Sequence, residues 1–198
     1  MGNNTNTKDQ ELEGDFGVWL VIYVELATFG ALFIGYAIAR SLNVEVFNTS
    51  QLLLDKNAGF INTVLLITAS FFVIKAVEVI QDTSETTALA SSKASKFLLI
   101  AIALGLVFIV LKITELIHIF SLGIHLSTNT FFTFYILLAL FHWMHVALGI
   151  FILATLYHNT KAHKYTAQDH KGLISGGLYW HMVDLLWIVL FPLVYLLN

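Results

Sequence analysis

The 198-residue chain contains no cysteine. Disulfides, thiolate metal sites, covalently attached haem and a cysteine-ligated copper centre are therefore excluded. Proline occurs once, at Pro192, so helices can run almost uninterrupted. Charge is scarce: Asp, Glu, Lys and Arg make up 12% of the residues and the net charge is −3. Soluble folds of this size carry about a quarter charged residues. Nothing in the sequence forms the basic stripe that a nucleic-acid partner requires. The first 15 residues also lack the basic-then-apolar order of a cleaved signal peptide. They are rich in Asn, Thr and acids and are expected to form a polar tail.

Apolar runs dominate the rest. Hydrophobic residues account for 58% of the chain, and the mean hydropathy is +0.79. Runs of about 20 apolar residues point to transmembrane helices. The expectation is an all-α polytopic membrane domain over 16–198, a bundle of five transmembrane helices at about 16–39, 59–80, 97–122, 131–157 and 172–197. Residues 41–57 read as turns and surface. Residues 81–96 read as a solvated connector whose alanines can extend either neighbouring helix, and 158–171 as a polar, basic loop. No internal repeat is visible.

Orientation follows from the Lys and Arg of the connections. With the N-terminus inside, the cytoplasmic segments hold Lys8, Lys93, Lys96, Lys161, Lys164 and Lys171, and the outer ones only Arg40 and Lys56. The N-terminus is expected in the cytoplasm and the C-terminus outside.

Against this apolar background the ionisable residues inside the runs stand out, because each needs a partner within the protein. His181 and Asp184 are three apart on one face of the fifth helix, and Trp187 lies a turn beyond. Glu25 interrupts the first helix, and His142 and His145 share a face of the fourth. At a rise of about 1.5 Å per residue these five groups come to a comparable depth, roughly 13 to 21 Å into their helices. Lys112 and Glu115 form an expected ion pair, with His118 continuing their stripe on the third helix. His125, His158, His163 and His170 lie in or near loops.

Several chemistries remain open from the residues alone. Glu25 is either a proton-exchanging acid or a hydrogen-bonding acid that fixes packing. Glu25, His142, His145, His181 and Asp184 together would suit a non-haem metal. His142 or His145 facing His181 or His118 would suit haem b.

The order of motifs resembles one family. Tyr179-Trp-His-Met-Val-Asp-Leu-Leu-Trp187 with Phe191 and Tyr195 resembles the C-terminal signature of cytochrome c oxidase subunit III. Phe141-His-Trp-Met-His-Val146 with Gly149 resembles its Phe-His-x-x-His-Val element. Glu25 matches its intramembrane glutamate, and Leu-Leu-Ile-Thr-Ala-Ser70, preceded by Asn62-Thr63, resembles its next helix. The third helix departs from the pattern, with Lys112 where Gln is usual and Leu116 where an aromatic is usual, and Trp143 replaces a Gly between the histidines. The length resembles the short five-helix bacterial form, including the branch associated with nitric oxide reductase.

The resemblance implies a non-catalytic accessory subunit of a respiratory haem-copper oxidase in a bacterial cytoplasmic membrane. It implies haem and copper in the partner catalytic subunit I rather than in this chain, contact with subunits I and II, bound phospholipid, and support of proton uptake. An accessory subunit of nitric oxide reductase is the alternative, and a membrane metalloenzyme or b-type cytochrome the reading from another class. Carried over by position, Glu25 with His145, and His142 as runner-up, form a buried acid–imidazole site. His181 and Asp184 form the polar pair of the last helix.

Overall fold

The computed structural model describes residues 14–84 and 86–197, and among them every regular element is helical. The N-terminal tail lies outside the described residues except for Gly14 and Asp15. The elements are α1 (Phe16–Leu42), α2 (Val44–Gln51), α3 (Lys56–Gln81), α4 (Thr87–Ser121), α5 (Thr130–Lys161), α6 (Lys171–Phe191) and a π-helical turn (Pro192–Leu196). Five of them, α1, α3, α4, α5 and α6 with its terminal turn, are long and apolar enough to cross a membrane.

Short polar side chains set the helix starts. Asp15 accepts from the Gly17 N–H at 2.9 Å to cap α1, and Asp55 accepts from Asn57 and Ala58 to cap α3. Asn129 caps α5 by accepting from Phe132 at 2.9 Å. Each satisfies backbone donors that the first helical turn leaves free.

Two elements differ from the sequence reading. α4 begins at Thr87, so most of the connector is helix. Its Ala, Leu and Lys residues favour helix, and Ala90, Ser91, Ala94 and Ser95 are buried where α4 runs beside α3. Small side chains let two backbones approach closely, which is how membrane helices gain packing contact. The segment read as loop between α1 and α3 contains α2. Its Phe47 ring packs edge-on against Tyr36 and Phe131, a tertiary contact with no local signature in the sequence.

α6 is the most buried span and packs against α1, α3 and α5. Trp180 lies fully buried between two glycines of other helices: a Cβ at Gly105 would sit 2.9 Å, and one at Gly149 3.0 Å, from its ring. At the end of α6, Pro192 cannot donate to the helix, and the chain closes with a wider turn in which Leu197 N–H donates to Pro192 O at 3.0 Å. That turn is tied to three other elements. Gln51 Nε2 donates to Val194 O at 2.9 Å, Arg40 Nη1 to Leu197 O at 2.6 Å, and Tyr195 reaches α4.

Candidate functional site

The polar residues of the spans gather in separate groups. In the first, Glu25 of α1 meets His145 of α5, with Oε2 and Nε2 at 2.8 Å and side chains 28% and 14% exposed. The other ring nitrogen of His145, Nδ1, is 2.6 Å from Phe141 O. A carbonyl only accepts, so Nδ1 carries a hydrogen. The short Nε2–Oε2 contact then holds one proton between the two groups, as imidazole with carboxylic acid or as imidazolium with carboxylate. Either form is neutral overall, which is what a pair in a low-dielectric span requires. Phe29 closes one side, with its ring centroid 5.4 Å from the imidazole, and Tyr179 of α6 donates a long bond to His145 O at 3.5 Å.

His142, one helical turn earlier, turns the other way. It is 1% exposed and packs as an aromatic ring, 5.2 Å from Trp187 and 5.8 Å from Phe108. Neither of its nitrogens has a hydrogen-bond partner among the described residues. The 60° between the two histidines is enough to give one to α1 and the other to the α4–α6 seam.

The second group lies on α6 and α3. His181 Nδ1 is 2.5 Å from Ser70 Oγ and 3.7 Å from Asp184 Oδ2. The second separation is an ion-pair distance rather than a hydrogen bond. Ser70, a part of the Leu-Leu-Ile-Thr-Ala-Ser motif, is the anchor that sequence spacing did not assign.

The third group is the most completely bonded. Lys112 and Glu115 of α4 are 2.9 Å apart, with side chains 3% and 7% exposed. Tyr195 Oη lies 2.5 Å from Lys112 Nζ and donates to Glu115 Oε1 at 2.7 Å. Tyr135 of α5 donates to the same carboxylate oxygen at 3.1 Å. The ammonium stands 5.1 to 5.2 Å from the ring centroids of Tyr135, Trp187 and Tyr195, a cation–π arrangement that partly replaces lost hydration. Trp187 is fixed in turn by its indole N–H, which donates to Thr63 Oγ1 at 2.9 Å. The pair was expected from its i, i+3 spacing; the two tyrosines and the tryptophan around it come from helices whose registers the sequence does not set.

The residues considered for a non-haem metal thus separate: Glu25 and His145 pair, His142 points elsewhere, and His181 and Asp184 lie on another face of α6. Among the described residues no three His, Cys, Asp or Glu side chains converge as a metal site requires. A haem between histidines would need open ring nitrogens facing one another. His145 has both nitrogens bonded, His142 is enclosed by Phe108 and Trp187, and His118 is exposed near the end of α4.

Comparison with known proteins adds an independent observation. The family described as Cytochrome c oxidase subunit III matches residues 1–198. The chain is 33% identical over 183 residues to the protein named Cytochrome c oxidase subunit 3 of a Synechocystis species, covering 92% of this chain and 75% of that one. It is 28% identical to Quinol oxidase subunit 3 of Bacillus subtilis, with 92% and 86% covered. A protein of Aeropyrum pernix named Heme-copper oxidase subunit I+III is 28% identical over 187 residues, which are 90% of this chain and 22% of that longer one.

Proposed function

The chain belongs to the cytochrome c oxidase subunit III family, and on that premise we propose that it is a non-catalytic accessory subunit of a respiratory haem-copper oxidase that stabilises the catalytic subunit and supports its proton uptake. The observation that carries the reading is the Glu25–His145 pair. It holds one proton in a neutral couple, is partly exposed on the surface of the bundle, and lies roughly 14 Å from the start of α1. A couple of this kind can pass its proton between the two groups, toward either side of the seam, without placing net charge in the hydrocarbon. Lys112 and Glu115, by contrast, are closed in by tyrosines and serve packing.

The remaining parts of the reading follow from the family and the geometry together. Haem and copper belong to the partner, in which subunits I and II carry the chemistry. The fused subunit I+III relative supports direct contact between the two kinds of subunit. The end of the bundle where α1, α4 and α6 begin holds Lys161, Lys164 and Lys171, with Lys93 and Lys96 in the first three turns of α4, against Arg40 and Lys56 at the other end, which favours placing it, and the N-terminus, in the cytoplasm of a bacterial cell. Phospholipid would lie along the spans. One apolar recess of about 220 Å³ between α4 and α5, lined by Ile113, Leu116, Ala139, Leu140 and Trp143, suits an acyl chain.

The test is purification in mild detergent through a tag on the N-terminal tail, followed by native mass spectrometry and an optical spectrum. The expected result is a complex with a haem-copper oxidase catalytic subunit, whose haem and copper are lost from the sample when the subunits are separated. A nitric oxide reductase catalytic subunit in that place, or stoichiometric metal remaining with the isolated chain, would overturn the reading.

A further inference from the structure

His181 sits where a bilayer-facing side chain should be apolar. On α6 the residues outside the core recur as Leu178, His181, Leu185 and Ile188, one continuous stripe, and His181 is roughly 15 Å from the start of the helix, near the middle of a span. Its side chain is 33% exposed. Ser70 Oγ is at hydrogen-bond distance from Nδ1 and Asp184 Oδ2 is 3.7 Å away, which leaves Nε2 as the ring nitrogen facing outward, a donor or an acceptor according to the tautomer. Nε2 has no hydrogen-bond partner among the described residues. A groove between α3 and α6 runs from this imidazole past Gly177 and Val77 to Glu78 and Gln81. Glu78, the one acid in the groove wall, is paired with Lys75 at 2.7 Å.

The outer faces of α4 and α5 differ. Across their middle turns they expose Leu106, Val110, Ile113, Leu140, Met144 and Leu148, which lipid covers without loss. A ring nitrogen with no hydrogen-bond partner cannot be satisfied by hydrocarbon, because lipid tails offer no hydrogen bonds.

We infer that the α3–α6 face centred on His181 is the surface that docks on the catalytic subunit, through a transmembrane helix that presents a polar side chain to hydrogen-bond His181 Nε2. The apolar residues on either side of His181 supply the packing contact, and the groove of about 220 Å³ receives a side chain of the partner helix. This inference rests on the proposed partnership with a catalytic subunit and names the face that makes it.

The experiment uses the membrane-embedded complex. A benzophenone amino acid is placed at Leu185 or Ile74 on the docking face, and at Val110 or Phe151 on the outer faces of α4 and α5. Irradiation is expected to link the first two positions to the catalytic subunit and the last two to lipid. A His181→Leu variant is expected to lower recovery of the catalytic subunit in mild detergent by about fivefold, the equivalent of one interfacial hydrogen bond, with His181→Gln, which keeps an acceptor, recovering more. Links from Val110 or Phe151 alone would overturn this inference and leave the partnership standing. Only lipid adducts from Leu185 and Ile74 would overturn it too, as would full recovery with His181→Leu. Links to the catalytic subunit from no position would count against the partnership itself.

Discussion

At the scale of single residues, what matters is which nitrogen faces what. Because His145 Nδ1 is committed to Phe141 O, the proton between Nε2 and Glu25 cannot be doubled or removed without leaving a charge in the span. Glu25→Gln keeps a neutral hydrogen-bonding side chain but removes the exchangeable proton. The complex is therefore expected to assemble with turnover partly retained, and with slower proton uptake or earlier loss of activity, measured with a pH-indicator dye during turnover. Unchanged uptake, durability and complex stability would remove Glu25 from the account. The Lys112–Glu115 pair behaves oppositely. Lys112→Met leaves a buried carboxylate facing two tyrosines, and breaking one side of a buried pair costs about 3–5 kcal/mol. The double change Lys112→Met with Glu115→Leu is expected to unfold at a higher temperature than Lys112→Met alone, followed by thermal denaturation of the purified complex. The spacing Phe141-His-Trp-Met-His shows that both histidines lie on one helical face. It does not show that α1 takes one while Trp187 takes the other, because a 60° difference is resolved only by where the neighbouring helices pack.

At the scale of elements, small residues on the outer helices set the position of α6. Gly105 and Gly149 leave the space that Trp180 fills. Gly149→Val is expected to destabilise the bundle by about 1–3 kcal/mol through overpacking. Gly30→Ala, where an added Cβ meets nothing within 4 Å, is expected to be neutral or stabilising by up to about 1 kcal/mol. Thermal unfolding midpoints of the two variants check both signs. The π-helical turn after Pro192 acts as a clasp. Its carbonyls accept from Gln51 and Arg40, and Tyr195 reaches the Lys112–Glu115 pair. Deleting residues 192–198 is expected to reduce the amount of chain in the membrane sharply, whereas Leu196→Ala, at an exposed position, leaves it unchanged by quantitative immunoblot. The spans were legible from long apolar runs, since the bilayer requires continuous helix whatever the neighbours. The shorter features were not. α2 exists because Phe47 and Gln51 find partners in α1, α5 and the last turn, and the early start of α4 depends on small residues packing beside α3.

At the scale of the whole molecule, polar groups on the bundle surface divide the labour between faces. Apolar α4 and α5 suit lipid, the α3–α6 face carries an imidazole with an unmet nitrogen, and the α1–α5 seam holds the Glu25–His145 proton. The central claim is that this chain sustains a neighbour's chemistry rather than performing its own. The most direct measurement compares the purified oxidase with and without this chain, following initial oxygen consumption, proton uptake and activity over many turnovers. The account predicts that the depleted enzyme keeps its haem and its initial electron transfer, takes up protons more slowly, fails sooner, and is restored when the chain is added back. Equal proton uptake and equal durability in the two preparations would contradict it.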